Sequence, residues 1–542
     1  MSAAGPAPMM VALDLSRFHH GVAWVTVACC VAACPPAGLR WLRVAQREHY
    51  LAGSVLRFAG RWWWSTPVNV ALAAAAVATA IVSLRFPLAG VVVAGVVAAG
   101  PLGLTLRGRT SPLAWTRRLR RLAAVWVVFE AVLVAVGVVS GLAAPLAVLA
   151  ALAVPLGVDL ACRAMSPVEL RLSAHFVDEA AARLKRVAPT VVAITGSYGK
   201  TSTKGHIACL VGTARTVVAT PASFNNRAGL ARAVNEHLAE GTEVFVAEMG
   251  TYGPGEIAEL CRWCPPDIAV ITAIGPVHLE RFGSEDRVLE AKSEIIESAD
   301  RVVLQVDDPR LSALADRAES DGKRVLRCSG VDRAADVGVV RSGDGHRMSV
   351  FVHGSALVEA IEIPVGVQPA NLAVAVAVAL ELKVDPAVVA ARLLELPPVD
   401  HRLQAVRSAS GAMILDDTYN SNPAGASAAL RALASVESDT ACAGPDTPRR
   451  AVVVTPGMVE LGPRQFEENQ EFGAAVASMA TDLLIVGRTN RRALLAGANS
   501  VDGSKVRATL VPNRQQAVDW VRRHLAPGDV VLYENDLPDH YP

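Results

Sequence analysis

Long apolar stretches dominate the first third of this chain. Before residue 165 the sequence holds five runs of mostly apolar residues, at 21–38, 66–84, 87–106, 122–141 and 143–162. Most are close to the roughly 20 residues that an α-helix needs to span a bilayer. A cleaved signal peptide does not account for them, because the runs continue far past any N-terminal signal. The pattern predicts a membrane region over residues 1–165 with about five transmembrane helices.

The pattern changes at about residue 186, where short β-rich runs begin to alternate with helical segments. This alternation predicts a largely parallel, doubly wound α/β sheet. A second α/β unit begins near residue 400, and Pro397 and Pro398 form the predicted linker between the two. We therefore predict a central domain over residues 186–398 and a C-terminal domain over 399–542.

The distribution of charged residues predicts how the chain is oriented in the membrane. The net charge is only +1, so the chain has no global field that would attract nucleic acid, and no nucleic-acid partner is predicted. Arginines cluster in two connections between the apolar runs, at 40, 43, 47, 57 and 61, and at 107, 109, 117, 118, 120 and 121. Under the positive-inside rule both connections are cytoplasmic. With five spans, we expect a multi-pass inner-membrane protein whose N-terminus lies outside and whose chain after Arg163 lies in the cytoplasm.

A glycine-rich turn with a lysine follows the first predicted strand of the α/β part. Backbone N–H groups in such a turn, with the positive end of the following helix, can cradle phosphate groups. A lysine there reaches the terminal phosphates, and a hydroxyl can bind Mg²⁺. The candidate residues are Gly196, Ser197, Gly199, Lys200, Thr201 and Ser202. The longer Walker A pattern would need glycine at Ile194, and the alternative is a plain turn between strand and helix. Lysine is rare in this chain, with seven in all and none before Lys185, which favours the phosphate interpretation.

Three further residues lie where ligands bind in open α/β sheets, at or after the carboxyl ends of strands. Glu248 ends one apolar run, His278 follows another, and Lys292 comes shortly afterwards. A carboxylate and an imidazole suit Mg²⁺ beside nucleotide phosphates, although Mg²⁺ prefers oxygen ligands. Each has an alternative: a turn acid, a helix cap, and for Lys292 a surface ion pair with Glu290 or Glu294. The residues alone leave these alternatives open.

From about Val191 to Asn535 the chain resembles the Mur ligase superfamily, closest to the branch that adds D-alanyl-D-alanine to a muramyl tripeptide. Seven segments carry the resemblance, in the family's order: TGSYGKTSTK, FNNRAG, AEMGTYGPGEIAEL, PDIAVITAIGPVHLERFGS, AKSEI, DHR and LDDTYNSNP. The resemblance implies a central P-loop ATPase domain and a C-terminal Rossmann-like domain. It also implies ATP-dependent amide-bond formation, in which a carboxylate becomes an acyl phosphate that an amine attacks.

The resemblance also implies roles for residues at matching positions. Lys200 and Thr201 would hold phosphate and one Mg²⁺, and Glu248 would bind the same ion. His278 and a carbamylated Lys292 would bind a second Mg²⁺, so that Lys200, Lys292 and His278 are the predicted catalytic residues. The other implied contacts are Asn371 with adenine, Arg402 and Asp417 with the nucleotide, and Asn225 and Asn226 with the substrate. Such a site stabilises phosphoryl charge by positioning and electrostatics.

Three departures from the family concern the substrates rather than ATP. The five predicted spans stand where the family has its uridine-binding domain, the family histidine before Asn371 is absent from Val367-Gln368-Pro369-Ala370, and the sequence finishes YENDLPDHYP where that branch has Lys-Gly-Ser. We therefore predict a membrane-anchored enzyme of cell-wall (peptidoglycan) biogenesis. It would join a small amine donor, an amino acid or short peptide, to a lipid-linked or envelope-bound carboxylate acceptor. The alternatives are a γ-glutamyl polymer or folylpolyglutamate-type ligase and a non-catalytic nucleotide-binding membrane scaffold.

Overall fold

The chain divides into two compact units in its computed structural model. The structure describes all residues except 1–8, 107, 109–111, 222–223, 343–346, 365, 397–402, 409, 419–421, 440–448 and 538–539, and it gives only the backbone of 9–20 and 436–439. One unit, here the helical unit, comprises Met1–Leu172 and Leu537–Pro542, and the other, here the catalytic unit, comprises Ser173–Asp536. The predicted boundary at 165 lies within a continuous helix.

The helical unit is built from helices of different lengths, most of them apolar. They are α1 (Met9–Arg47), α2 (Ser54–Trp63), α3 (Pro67–Ser83), α4 (Ala89–Ala99), α5 (Arg117–Ser140) and α6 (Ala143–Val187). Hydroxyls at Thr66 and Thr116 cap the N-termini of α3 and α5, and Gly141 ends α5 with a φ of +73°. The core contains Leu42, Phe58 and Val154, each at most 2% exposed.

Not all of the five predicted spans correspond to long helices. Among the described residues three helices are long and apolar enough to cross a membrane, over Gly21–Arg47, Arg117–Ser140 and Ala143–Val187. A fourth is possible only if α2 and α3, which meet at a bend of 108°, count together. The third predicted span holds α4, which has only 11 residues, because the helix ends at Gly100 and the sequence continues with Pro101. The structure therefore supports a smaller number of full-length helices than the apolar runs suggested.

The central domain contains a nine-stranded sheet whose strands are ordered β2-β3-β1-β4-β5-β6-β7-β8-β9. The strands are β1 (Thr190–Thr195), β2 (Val217–Ala219), β3 (Val244–Glu248), β4 (Ile268–Ile271), β5 (Arg301–Gln305), β6 (Arg324–Ser329), β7 (Val337–Arg341), β8 (Arg347–Val352) and β9 (Ser355–Glu362). All pairings from β2 to β7 are parallel, which confirms the predicted sheet, and β7, β8 and β9 are antiparallel hairpins.

Helices cover both faces of this sheet. They are α7 (Lys200–Val211), α8 (Arg227–His237), α9 (Glu256–Trp263), α10 (Leu279–Phe282), α11 (Glu285–Glu297), α12 (Pro309–Ser320), α13 (Pro369–Glu381) and α14 (Pro386–Leu393). One core layer joins α7 and α13 to the sheet through Ile207 and Val376, both fully buried. The other layer includes Val177, Ala180 and Leu184, so the last turns of α6 pack in the core of the central domain.

The C-terminal domain is a second, smaller α/β sheet. Its six strands are ordered β10-β11-β15-β12-β13-β14, and only β10 is antiparallel. The elements are β10 (Gln404–Arg407), β11 (Met413–Asp417), α15 (Pro423–Asp439), β12 (Ala451–Thr455), α16 (Gln465–Met479), β13 (Asp482–Val486), α17 (Arg491–Ala498), β14 (Arg507–Val511), α18 (Arg514–His524) and β15 (Val530–Glu534). This matches the predicted second α/β unit.

The parallel pairing of β3, β1 and β4 decides where the candidate site lies. Val192 on β1 is level with Val246 on β3 and with Ile268 on β4. The loops that follow these three strands therefore leave the sheet at the same edge. Those loops carry the glycine-rich turn, the segment after Glu248 and the segment that leads to His278.

Candidate active site

The glycine-rich turn between β1 and α7 is closed tightly by its two glycines. Gly199 has a φ of +79°, and a Cβ atom there would lie 2.2 Å from Oδ1 of Asn371. A Cβ atom at Gly196 would lie 2.1 Å from Oγ1 of Thr272. Only glycine fits at either position, because any side chain would overlap a neighbouring polar atom. The backbone is thus open to a close approach by a phosphate group.

Ser197 and Lys200 complete this turn. The Ser197 N–H donates to the Ala273 carbonyl at 2.7 Å, and the Gly275 N–H donates to the Ser197 Oγ at 3.0 Å, which ties the turn to the loop after β4. The Nζ atom of Lys200 donates to the Gly196 carbonyl at 2.6 Å. Lys200 and Ser202 lie in the first turn of α7 and remain partly exposed. The predicted glycine-rich turn between strand and helix is therefore present, with the Lys200 side chain folded onto the backbone of the turn.

Glu248 connects the phosphate loop with β3. Its carboxylate is 1% exposed and accepts hydrogen bonds from the Thr201 hydroxyl at 3.1 Å, the Lys204 Nζ at 2.8 Å and the Asn225 Nδ2 at 3.2 Å. The two residues predicted to share one Mg²⁺, Thr201 and Glu248, are thus in direct contact. Sequence reasoning missed Lys204, although its spacing of four residues from Lys200 places both lysines on one face of α7.

Lys292 is buried on α11. Its side chain is 2% exposed, so its amine does not lie at the protein surface. Burial, and secondarily the charge of Lys200, hold the pKa of Lys292 well below its usual value. Glu294 instead accepts from the Gly255 and Ala258 N–H groups at 2.6 and 2.9 Å. The alternative of a surface ion pair for Lys292 is therefore wrong.

His278 faces the C-terminal domain. It has a φ of +52°, and its Nδ1 atom is hydrogen-bonded to Oε2 of Glu460, a residue that sequence reasoning missed. The His278 ring lies edge-on to the Tyr252 ring, with 5.1 Å between the centroids. The guanidinium of Arg281 stacks on the Tyr252 ring, 4.4 Å from its centroid. Across the residues that the structure covers, no group of three or more His, Cys, Asp or Glu side chains is arranged to hold a metal. The structure thus brings Thr201 and Glu248 together, whereas His278 contacts Glu460.

A second set of contacts joins the central and C-terminal domains. Glu285 accepts from Arg310 of the central domain at 2.5 Å and from Arg464 of the C-terminal domain at 2.6 Å. Tyr198 of the phosphate loop lies in the same surroundings, where burial and then the charge of Glu285 raise the pKa of its hydroxyl. Glu285 therefore influences both the phosphate loop, through Tyr198, and the interface between the two domains, through Arg464.

The remaining predicted residues have varied surroundings. Asn371 lies beside the phosphate loop at Gly199, and Asp417 is 8% exposed at the end of β11, where its carbonyl accepts from Asn535 at 3.1 Å. Asn226 uses its Oδ1 to cap α8, at 2.9 Å from the Gly229 nitrogen. Arg402 lies outside the described residues.

The residues present fit a bound Mg²⁺–nucleotide. Two glycine positions leave room that a Cβ atom would fill, and the Thr201 hydroxyl and Glu248 carboxylate offer the hard oxygen atoms that Mg²⁺ prefers. A lysine at the first position of α7 adds positive charge where phosphates bind helix N-termini. Two α/β domains joined beside such a turn are typical of nucleotide-binding α/β proteins.

Comparison with known proteins narrows this class. The Mur ligase middle domain matches residues 194–379, and the Mur ligase glutamate ligase domain matches residues 401–533. The UDP-N-acetylmuramoyl-tripeptide--D-alanyl-D-alanine ligase of Mycobacterium tuberculosis is 34% identical over 375 residues, which are 65% of this chain and 71% of that protein. The Bacillus subtilis enzyme of the same description is 28% identical over 360 residues, covering 66% and 75%.

A solved structure agrees with these relatives. The MurF ligase of Thermotoga maritima in complex with ADP superposes with a TM-score of 0.55 at 27% identity, covering 67% of this chain and 80% of that one. This chain belongs to the Mur ligase family. It is an ATP-dependent acid–amino-acid ligase that uses ATP and Mg²⁺, and its first 193 residues lie outside both matched family domains.

Proposed function

We propose that this protein is a membrane-anchored ligase that joins an amino acid or short peptide to a carboxylate of a peptidoglycan precursor. The observation that carries the ligase chemistry is the contact between Thr201 on the phosphate loop and the buried Glu248. ATP supplies the phosphoryl group that activates the acceptor carboxylate. We infer the precursor from the relatives, because those from M. tuberculosis and B. subtilis are both described as ligases of UDP-N-acetylmuramoyl-tripeptide.

We assign the residues of this chain separate roles in binding phosphate and Mg²⁺. Lys200 and the backbone of the turn bind phosphate, and Thr201 and Glu248 supply oxygen ligands for Mg²⁺. Lys292 is the residue suited to carbamylation, because an amine whose pKa is lowered by burial stays neutral and can react with CO₂. The resulting anion would be a Mg²⁺ ligand together with His278. Glu460 is hydrogen-bonded to Nδ1 of His278, and this contact would keep the Nε2 atom of His278 available for the metal.

The apolar helices support a membrane anchor. With one crossing for each of the three long helices, the two ends of the chain would lie on opposite sides, and α3 and α4 would enter and leave on one side as a short pair. The arginines in the last turns of α1, in α2 and in the first turns of α5 would then share the cytoplasmic side with the catalytic unit. In this arrangement a lipid-linked acceptor is the natural substrate, because it is confined to the same membrane.

The deciding experiment measures ADP release by the purified full-length protein in lipid nanodiscs. Amino acids and dipeptides are screened against acceptors in matched pairs, one soluble and UDP-linked and one carried on a polyprenyl lipid. Amine-dependent ADP release that is higher with the lipid-linked member supports the proposal. Release with the soluble member alone overturns the lipid-linked part, and no release with any pair overturns the ligase. Lys200→Ala serves as the inactive control.

Topology is tested separately by labelling single cysteines with a membrane-impermeant reagent. Position 5 should be labelled from outside, and position 505, which is exposed on the catalytic unit, only after permeabilisation. The same side for both positions would contradict an odd number of crossings.

A further inference from the structure

The last residues of the sequence fold into the helical unit. His540 is 2% exposed, and its carbonyl accepts a hydrogen bond from the Trp62 Nε1 at 2.7 Å. Its Nε2 atom lies 3.2 Å from Oε1 of Glu48, which is itself 6% exposed. Two polar groups of His540 therefore have specific partners in the helical unit. Such an arrangement is typical of a docked segment, because buried polar groups are retained where they have hydrogen-bond partners.

Aromatic contacts add to these hydrogen bonds. The ring of Phe58 lies 5.1 Å from the ring of His540 and 4.9 Å from the ring of Tyr541, the second pair edge to face. Phe58 and Trp62 are four residues apart on α2, so both project from one face of that helix. They are 2% and 6% exposed. We call the surface formed by Glu48, Phe58 and Trp62 the tail groove.

The tail groove is held in place by neighbouring buried polar residues. Asp159 of α6, 1% exposed, accepts from the Gly53 and Val55 N–H groups at 2.8 and 3.1 Å and so fixes the start of α2. Asn69, fully buried on α3, donates to the Trp62 carbonyl at 3.0 Å and fixes its end. Asp159 and Asn69 therefore contact the two ends of α2 from α6 and α3.

We propose that the tail groove is a docking site for His540 and Tyr541 of the same chain and that this docking tethers the catalytic unit to the helical unit. The strand β15 ends at Glu534, six residues before His540. The chain therefore passes between the two units twice, once within α6 and once through this segment. This proposal does not depend on the identity of the substrates.

A cleavage experiment on the full-length protein isolates this second connection. A protease site is inserted after Leu172, an exposed residue of α6 at the boundary of the two units. The last turns of α6 stay with the catalytic unit because they pack in its core. After cleavage in detergent, the two fragments are separated by size exclusion. With the native tail, the catalytic fragment should elute with the helical fragment.

Three variants decide the outcome. A stop codon after Leu537 leaves the helical unit's own helices unchanged and should release the catalytic fragment. Trp62→Phe keeps an aromatic ring but removes the N–H donor, and it should raise the dissociation constant of the fragments by about tenfold. Trp64→Phe, at a neighbouring indole that is 77% exposed, is the matched control and should behave as the native protein.

The proposal is overturned if the fragments separate with the native tail, or if they stay together equally well after truncation at Leu537. Because the truncation does not touch α1 or α2, misfolding of a groove variant cannot decide the result. ADP release is measured on the uncleaved proteins in parallel. Loss of fragment retention with normal ADP release supports the tether, and absence of ADP release from all proteins bears on the ligase proposal alone.

Discussion

His278 and Glu460 are hydrogen-bonded across 182 residues of sequence, one from the central and one from the C-terminal domain. Both have backbone conformations that side chains rarely adopt, with φ values of +52° and +64°. Residues held in this region cost of order 1 kcal/mol or more each and are concentrated at functional sites. The pair therefore links the predicted metal-binding histidine to the domain arrangement.

The first prediction concerns this pair. Glu460→Ala removes the acceptor that orients the His278 ring, and such changes beside a metal ligand typically lower metal affinity or activity by about 10–100-fold. We expect the Mg²⁺ concentration for half-maximal ADP release to rise accordingly. Glu467→Ala, at an exposed residue of α16, is the control. An unchanged Mg²⁺ dependence in Glu460→Ala would show that the contact serves only to join the domains.

The second prediction concerns Lys292. Lys292→Arg should be inactive, because a permanent cation at this buried position repels Mg²⁺. Lys292→Ala should lose most activity and recover part of it with acetate, which supplies the missing carboxylate. Removing dissolved CO₂ should lower the activity of the native enzyme but not that of Lys292→Ala with acetate. Near-normal turnover by Lys292→Arg would exclude the carbamate.

The third prediction concerns the ion pair between Lys204 and Glu248. Both side chains are buried, at 7% and 2% exposure, with 2.8 Å between Nζ and Oε2. Lys204→Met leaves the carboxylate without its cation and should reduce the free energy of unfolding by about 3–5 kcal/mol. Mg²⁺ with ADP should restore part of that loss by supplying positive charge at Glu248.

Thermal unfolding with and without Mg²⁺–ADP measures this effect. Lys505→Met, at an exposed residue of the C-terminal domain, is the control and should unfold as the native protein does. Equal stabilisation of Lys204→Met and native protein by Mg²⁺–ADP would mean that the ion does not bind at Glu248.

The fourth prediction compares two glycines six residues apart. Gly199→Ala should abolish ADP binding, because the added Cβ atom overlaps Asn371 and the residue has a φ of +79°. Gly205→Ala lies within α7 with no atom near the added Cβ, and it should stabilise the protein by roughly 0.5–1 kcal/mol. Isothermal titration with ADP and thermal unfolding separate the two effects. ADP binding by Gly199→Ala with native affinity would contradict the close fit of the phosphate loop.

The fifth prediction concerns pH. His206 on α7 is 1% exposed, neither ring nitrogen has a hydrogen-bond partner in the described structure, and burial lowers its pKa to about 4. The unfolded chain, with a histidine pKa of about 6.5, binds the proton first, so stability is complete above that pH and falls towards pH 4 by about 3 kcal/mol. This loss should appear as a lower midpoint of thermal unfolding between pH 7 and pH 5.

His206→Leu should remove that part of the pH dependence, because it leaves no group to be protonated. His237→Leu, at an exposed histidine of α8, should retain it. An identical acid dependence in the native protein and His206→Leu would show that His206 is not the group responsible.

Much of the fold and part of the site were contained in local sequence. The alternation of short strands and helices predicted both sheets, since each element's apolar face is set by residues near each other in the chain. The phosphate loop was equally local: Gly196, Gly199, Lys200 and Thr201 lie within six residues of one another. The apolar runs predicted helices, but their lengths depended on where α3 and α4 end, and apolar composition does not show that.

Tertiary structure alone decided which distant residues meet. Glu460 approaches His278, and Arg464 shares Glu285 with Arg310, because the C-terminal domain packs against the central one. The burial of Lys292, which excludes the surface ion pair, likewise depends on which face of α11 meets the core. The docking of His540 on Trp62 had no signal in the sequence, because a single buried histidine near the end of a chain has neither periodicity nor a motif. Local patterns fix elements, and only packing between them fixes contacts.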